Sequence, residues 1–226
     1  MKIVIAAGGT GGHLYPGIAI ARELLRGAGD EAVFVGTDQG IEAGVLPKEG
    51  LPLLLIPGGK LKGMSLGARG RTLATLPRSL ASAAGLLRRE RPAVVIGVGG
   101  YASGPLALAA WMRGIPVILV EPNSYAGLTN RILGRFAKKI FVCFPGRDRQ
   151  NFFPAKKKVL TGPLVRNGID RGDAGQALAA FGLEPGRFTV FVMGGSGGAH
   201  AINRAMADAA ADLARVPRLQ VLHQTG

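Results

Sequence analysis

The stretch that decides the fold, residues 2–13, reads Lys-Ile-Val-Ile-Ala-Ala-Gly-Gly-Thr-Gly-Gly-His. A β-branched apolar run that meets a glycine loop, followed by apolar residues at helical spacing, predicts a strand, a turn and a helix. The same order returns at residues 188–213, where an apolar run precedes Gly-Gly-Ser-Gly-Gly at 194–198 and an alanine-rich segment follows. The sequence therefore predicts two units that each carry a glycine turn at the carboxyl end of a strand.

Between the two loops, short apolar runs alternate with segments of helical spacing. Strands are predicted at 32–35, 53–56, 93–98, 116–120 and 139–142, and helices at 41–48, 104–113, 128–136 and in the segment from Pro77 to about Glu90. Fully apolar strands that alternate with helices are typical of a parallel sheet covered on both faces. We therefore predict an α/β protein with two Rossmann-like, doubly wound parallel-sheet domains.

A change of character near residue 160 predicts the domain boundary. Lys156–Lys158 and Thr161–Pro163 have the composition of a hinge, which separates residues 1–160 from residues 161–226. The second domain is expected to be incomplete, because it is shorter than a typical domain and the chain stops directly after the predicted strand at 219–224. We therefore expect the chain to be a fragment of a longer protein.

The composition excludes several classes of protein. With 47% apolar and 19% charged residues, the 226-residue chain can bury a sizeable core and is not intrinsically disordered. Its apolar runs fall far short of the roughly 20 residues that a bilayer-spanning helix needs, and the run after Lys2 is too short for a signal peptide. The single cysteine, Cys143, is predicted to be a buried, inert thiol of a cytosolic protein.

The excess of positive charge predicts anionic partners. Lys and Arg number 28 against 14 Asp and Glu, a formal net charge of +14. Basic residues concentrate at 60–91 and 131–158, and the first stretch mixes them with aliphatic residues, which suits an anionic membrane surface. A solvated basic surface is the alternative for any single residue. Nucleic acid is not predicted as a partner, because stacking aromatics, zinc-finger spacing and recognition-helix spacing are missing.

Three glycine-rich segments follow predicted strands, at 8–12, 97–104 and 194–198. Backbone without Cβ atoms can approach a ligand closely, and amides at a helix start can hold a phosphate, although glycine turns also serve tight packing. Three such loops together favour diphosphate binding. A dinucleotide fingerprint is disfavoured, because Leu14 and His200 stand where its last small residue belongs. Metal ligand spacing is also missing, so we predict no metal and no cofactor.

His13 ends the first loop and is the one histidine beside a predicted phosphate site. It could act as a general base near neutral pH, or it could cap the helix and hydrogen-bond the loop, and the spacing leaves both open. Ser196 suits a hydrogen bond to phosphate better than nucleophilic attack. A departing diphosphate would be stabilised by loop amides, helix dipoles and cations such as Arg166.

Six segments, in their order along the chain, resemble the MurG family of bacterial peptidoglycan glycosyltransferases. The resemblance spans nearly the whole chain and rests on residues 8–13, 99–105, 121–123, 126–130, 194–196 and 223–226. Members of that family add N-acetylglucosamine to an undecaprenyl-linked muramyl-pentapeptide precursor. The resemblance therefore implies a two-domain glycosyltransferase of the B type, with a membrane-facing amino-terminal acceptor domain and a carboxyl-terminal donor domain.

The resemblance also implies roles for individual residues. His13 matches the proposed catalytic base of the family. Donor contacts are implied for Thr10, Gly11, Gly12, Asn123, Arg166 and Ser196. The loops around Gly11 and Tyr101 would face the acceptor diphosphate, which Gly99, Gly100, Tyr101 and Ser103 would contact. The membrane would face Lys60, Leu61, Lys62, Met64 and Leu66. The chain departs from the family pattern at Pro122, at Pro163–Leu164 and at Gly197, and the last change would weaken donor contacts.

The activity that the resemblance implies is inverting transfer of N-acetylglucosamine from UDP-N-acetylglucosamine to the 4-hydroxyl of undecaprenyl-diphosphate-linked N-acetylmuramyl-pentapeptide. This step converts lipid I into lipid II at the cytoplasmic face of the bacterial inner membrane, in cell-wall biogenesis and hence in cell shape and division. The implied partners are the two substrates and the anionic membrane surface. Two alternatives stay open: a related transferase for another lipid or small molecule, and a catalytically incomplete chain that only binds lipid-linked diphosphate. An oxidoreductase ranks last.

Overall fold

The computed structural model describes residues 1–27, 29–58, 75–145, 152–165, 168–169, 171–195 and 197–226. The chain forms two compact units, Met1–Asn167 and Gly168–Gly226. Each unit contains a parallel sheet of its own, as the alternation of apolar runs and helical segments predicts.

The first unit is built on seven parallel strands. They are β1 (Lys2–Ala7), β2 (Glu31–Gly36), β3 (Leu53–Leu55), β4 (Val94–Gly99), β5 (Val117–Glu121), β6 (Lys139–Val142) and β7 (Lys158–Leu160). Their order across the sheet is β3-β2-β1-β4-β5-β6-β7. This is the order of a doubly wound Rossmann sheet, in which the direction of winding reverses between β1 and β4.

Helices cover both faces of this sheet. They are α1 (Gly11–Leu24), α2 (Glu42–Val45), α3 (Leu76–Glu90), α4 (Ser103–Met112) and α5 (Leu128–Leu133). Ile3, Ile5 and Ala7 of β1 pack with α1 in one buried cluster, whereas Val4 and Ala6 pack with α3 and α4 in another. Successive side chains of a strand point to opposite faces, so a strand covered on both faces must be apolar throughout. No helix in the described part of the chain combines the length and apolar character that crossing a bilayer requires.

The strand β7 lies within the stretch where the sequence predicts a hinge. Lys158 begins this strand, which pairs in parallel with β6. Beyond this strand, the Thr161 amide donates to the Val142 carbonyl at 3.0 Å, and Leu164 packs against the buried cluster that contains α1. The first compact unit therefore continues past residue 160 to Asn167.

The second unit contains α6 (Ala174–Ala180), β8 (Phe188–Met193), α7 (His200–Leu213) and β9 (Leu219–Gln224). The strands β8 and β9 have the predicted bounds and pair in parallel along their whole length. The sequence pattern does not predict α6, a short helix whose start is fixed by Asp173, since its carboxylate accepts the Gln176 amide at 2.7 Å. The helix α7 has no buried residue, in contrast to α1.

Candidate functional site

Three loops leave one edge of the seven-stranded sheet, because the carboxyl ends of parallel strands share an edge. They follow β1, β4 and β5, which are neighbours in the sheet. The winding reverses between β1 and β4, so the chain leaves these two strands toward opposite faces. Ligands of doubly wound sheets bind at this point.

The loops after β1 and β4 contact each other through glycine backbone. Gly100 has a φ of 84°, and a Cβ at this position would overlap the carbonyl oxygen of Gly8. Gly99 has a φ of 129°, and a Cβ here would lie 2.7 Å from Nε2 of His13. Positive φ and close approach both demand glycine. The two predicted glycine segments, 8–12 and 97–104, therefore form one structure.

His13 lies in the first turn of α1 and is held on two sides. Its Nδ1 atom lies 3.0 Å from Oγ1 of Thr10, the residue with extended backbone that precedes the helix. Its ring lies against Gly99 of the neighbouring loop. Gly11 and Gly12 begin the same helix, where the first amides have no partner within the helix and the helix dipole is positive. This arrangement can present backbone amides and an imidazole to an anion.

Ser103 joins the ends of the two strands from inside. Its Oγ atom lies 2.9 and 2.8 Å from the carbonyl oxygens of Ala6 and Gly99, which share its one hydrogen, and it accepts the Gly99 amide at 3.1 Å. The side chain is fully buried. The Ser103 hydroxyl, assigned to the acceptor diphosphate by resemblance, is thus engaged with backbone in the structure, a geometry that supports positioning of Gly99.

Tyr101 is also engaged inside the unit. Its hydroxyl lies 3.0 Å from Oγ of Ser79 and 3.2 Å from Oγ1 of Thr75, both near the start of α3. Its ring packs directly on Gly58, where a Cβ would overlap it. The Tyr101 side chain therefore ties the loop after β4 to the chain before and after residues 59–74.

Glu42 supports the first loop and is a residue that the sequence pattern does not single out. Its side chain is 1% exposed. The Oε2 atom accepts the Gly9 amide at 2.8 Å, and Oε1 accepts the Thr37 amide at 2.9 Å and the Thr37 hydroxyl at 3.3 Å. The only sequence signal is indirect: Gly8, Gly36 and Gly40 leave the space that this carboxylate fills.

Glu121 supports the loop after β5 in the same way. It is 2% exposed, and Oε1 accepts both the backbone amide and the side-chain amide of Asn123 at 3.0 Å. Its Oε2 accepts the Gly127 amide at 2.9 Å and the Asn130 side-chain amide at 3.0 Å. Asn123, a predicted donor contact, is thus exposed yet fixed in orientation.

A small cleft lies beside this loop. Among its lining residues are Asn123, Ser124, Phe152 and Lys158. The Arg131 guanidinium stacks on the Phe152 ring at 4.6 Å, so an aromatic and cationic surface borders the cleft.

Several predicted site residues lie outside the residues that the structure describes. They are the donor contacts Arg166 and Ser196 and the membrane-facing Lys60, Leu61, Lys62, Met64 and Leu66. Within the described residues, no group of three His, Cys, Asp or Glu side chains is arranged to hold a metal ion. Cys143 is free and buried as predicted, and burial raises the pKa of its thiol.

Comparison with known families gives two matches. Residues 3–142 match the glycosyltransferase family 28 N-terminal domain, and residues 189–226 match the glycosyltransferase family 28 C-terminal domain. The matched ranges follow the two compact units of the chain.

Similar proteins are enzymes named UDP-N-acetylglucosamine--N-acetylmuramyl-(pentapeptide) pyrophosphoryl-undecaprenol N-acetylglucosamine transferase. Those of Myxococcus xanthus and Syntrophus aciditrophicus are 43% and 45% identical over all of this chain, which covers 58% and 61% of their lengths. The crystal structure of Acinetobacter baumannii MurG superposes with a TM-score of 0.70 at 30% identity, and the chain covers 58% of it. The chain therefore spans about three fifths of the relatives that it matches.

Proposed function

The chain belongs to glycosyltransferase family 28, and from this premise we propose that it transfers N-acetylglucosamine from UDP-N-acetylglucosamine to undecaprenyl-diphosphate-linked N-acetylmuramyl-pentapeptide. The names of its relatives support this choice of donor and acceptor. The acceptor atom is the muramyl 4-hydroxyl, which attacks the anomeric carbon with inversion. The bond to the UDP oxygen breaks, a β-1,4 bond forms, and lipid I becomes lipid II.

The observation that carries the proposal is the contact between the first two glycine loops at the point where the sheet reverses its winding. There the His13 ring lies against Gly99, and the start of α1 lies beside it. An acceptor diphosphate is a compact anion that backbone amides at a helix start can bind. The Gly11, Gly12 and Gly100 backbone would therefore hold it within reach of the histidine.

His13 takes the role of general base in this proposal. When its Nδ1–H donates to the Thr10 hydroxyl, the neutral tautomer has an unprotonated Nε2, which accepts the proton of the attacking hydroxyl. Thr10 then stabilises the imidazolium that forms. The negative charge of the departing UDP is met by loop amides, the α1 dipole, Arg166 and Ser196.

Asn123 serves as a donor contact whose orientation is fixed by Glu121. Both Asn123 nitrogens donate to one carboxylate oxygen, so its side-chain carbonyl is directed away from the carboxylate. An amide held in this way can accept a hydrogen bond from a sugar hydroxyl without losing further side-chain entropy.

Membrane association, at the cytoplasmic face, belongs to the same proposal. In addition to the predicted membrane-facing residues at 60–66, exposed apolar side chains support it: Trp111 and Met112 at the end of α4 are 48% and 65% exposed, and Leu128 and Ile132 of α5 are 63% and 57% exposed. The exposed cations Arg113, Arg135 and Lys138 follow these helices. Aromatic and aliphatic side chains among cations are typical of proteins that bind anionic lipid surfaces.

The direct test is a transfer assay with labelled UDP-N-acetylglucosamine and a soluble lipid I analogue, on both the 226-residue chain and the complete product of its reading frame. We expect β-1,4-linked product from the complete product. Binding of the analogue without product in both forms would instead support a chain that only binds lipid-linked diphosphate. Transfer to other lipids that lipid I analogues do not compete with would support a different acceptor.

Vesicles test the membrane part separately. The chain should sediment with vesicles that contain phosphatidylglycerol and not with neutral phosphatidylcholine, and Trp111→Ser should weaken sedimentation severalfold. Equal sedimentation of the variant would contradict a role for this surface.

A further inference from the structure

A buried carboxylate directs one amide of the first glycine loop away from any ligand. Glu42 accepts the Gly9 amide at 2.8 Å, so this N–H points into the protein. The motif alone suggests that all amides of residues 8–12 can surround a phosphate. In the structure, the loop is instead divided into an inner amide held by Glu42 and the outer amides at the start of α1.

The space around Glu42 is built for this carboxylate. A Cβ at Gly8, Gly36 or Gly40 would overlap its carboxylate or its adjacent methylene. These glycines come from the ends of β1 and β2 and from the turn before α2. Three chain segments therefore have glycine where a side chain would collide with the Glu42 carboxylate. This carboxylate accepts three hydrogen bonds, from the Gly9 amide and from the amide and hydroxyl of Thr37.

The carboxylate lies directly behind the proposed site. Gly9 has a φ of 81° and is followed by Thr10, whose hydroxyl holds His13. The Gly9 peptide is thus adjacent in the chain to the residue that contacts His13, and Glu42 of α2 holds one side of that peptide.

We propose that Glu42 is a positioning residue for this site: it fixes the Gly8–Thr10 turn so that the Gly11 and Gly12 amides and the His13 ring face the ligand. The inference rests on the proposed function for what that ligand is. The loop geometry that Glu42 fixes is independent of the proposed function, so an experiment can contradict one of them without the other.

The first experiment uses the wild-type chain labelled with ¹⁵N and ¹³C. A through-hydrogen-bond NMR correlation should connect the Gly9 nitrogen with the Glu42 carboxylate carbon. On titration with farnesyl diphosphate, the Gly11 and Gly12 amides should shift and the Gly9 correlation should persist. Loss of this correlation, with a Gly9 shift as large as that of Gly11, would overturn the inference. If no amide shifts, the proposed function is in doubt while the correlation still decides the loop geometry.

The second experiment compares Glu42→Gln with Leu46→Ala. Leu46 directly follows the same helix and is fully buried. Its truncation should lower stability but leave the hydrogen bond between Gly9 and Glu42 in place. At a temperature where both variants are folded, Glu42→Gln should weaken farnesyl diphosphate binding at least tenfold, and Leu46→Ala should change it less than threefold. Equal losses in the two variants would mean that Glu42 acts only through stability.

Kinetics of the complete reading-frame product give the third readout. Glu42→Gln should lower kcat at least tenfold with a smaller change in the KM for UDP-N-acetylglucosamine, because the histidine is displaced while the donor contacts implied for Asn123, Arg166 and Ser196 lie outside the first loop. Glu49→Gln, which removes a partly exposed carboxylate paired with Arg22, is the charge control and should leave both constants unchanged. An unchanged kcat in Glu42→Gln would overturn the positioning role.

Discussion

The two Gly-Gly-(Thr or Ser)-Gly-Gly loops have almost the same sequence and very different surroundings. The first follows β1, which has a strand on each side, and it contacts the loop after β4 and the carboxylate of Glu42. The second follows β8 of a two-stranded sheet, and its Gly198 packs on the Thr225 backbone after β9. The motif thus supplies only a flexible backbone, and elements that are distant in sequence determine which contacts each loop makes.

The largest expected effect distinguishes the histidines that follow the two loops. His13→Ala should lower kcat of the complete reading-frame product by about 10²- to 10⁴-fold, the usual contribution of a general base. His200→Ala, at the start of α7 and exposed, should leave it unchanged. Wild-type turnover in His13→Ala, measured with labelled donor and lipid I analogue, would refute the base assignment.

A matched pair of glycine substitutions compares the packing of the loops. Gly100→Ala combines a positive φ with overlap of the Gly8 carbonyl and should cost about 3 kcal/mol of stability. Gly195→Ala has a φ of 89° and open space around its Cβ, so it should cost only about 1–2 kcal/mol, from backbone strain. Urea unfolding followed by the single tryptophan, Trp111, reports the first unit, and hydrogen exchange of β8 and β9 reports the second. Equal costs would remove the difference between the loops.

Removing one hydroxyl tests how the ends of β1 and β4 are joined. Ser103→Ala leaves two carbonyls and the Gly99 amide without their buried partner, and should cost about 1–3 kcal/mol in the same unfolding experiment. Ser82→Ala on α3 serves as the control and should change stability by less than about 0.5 kcal/mol. A Ser103→Ala variant as stable as the control would show that the Ser103 hydrogen bonds do not stabilise the joined ends of β1 and β4.

The smallest effect concerns the thiol at the end of β6. Burial raises the pKa of Cys143, so its reaction with a disulfide reagent should be slower in the folded chain than in urea. The reaction rate of the folded chain should still increase at pH values where the rate of the unfolded chain has become constant. Folding favours the neutral thiol. The contribution of Cys143 to stability is therefore fully present below the ordinary thiol pKa and is lost as the pH rises through the raised pKa of the folded state. Identical pH profiles in both states would show that this edge of the sheet is open to water.

Much of the first unit follows from its sequence, because strands buried on both faces are apolar throughout. The pattern predicts the six strands from β1 to β6 to within one residue at each end. It misses β7, a three-residue strand that begins at a lysine and lies at the edge of the sheet. Short edge strands carry too little apolar signal to be separated from a linker.

The candidate site is only partly contained in the motifs. Glycine spacing predicts the loops and places His13 beside them, since the strand, turn and helix are adjacent in sequence. The role of Glu42 depends on the pairing of β1 with β2, which brings Gly8 and Gly36 together from distant positions. The engaged hydroxyls of Tyr101 and Ser103 depend on such tertiary contacts too. Residue spacing in a single sequence does not reveal such tertiary contacts.

Amide chemical shifts of the ¹⁵N-labelled chain, titrated with farnesyl diphosphate, test the central claim that the first loop binds the lipid-linked diphosphate. The account predicts saturable shifts at Gly11, Gly12 and Gly100, with little change at Gly195 and Gly197. Shifts confined to residues 194–198, or no saturable shift at the edge of the seven-stranded sheet, would contradict it.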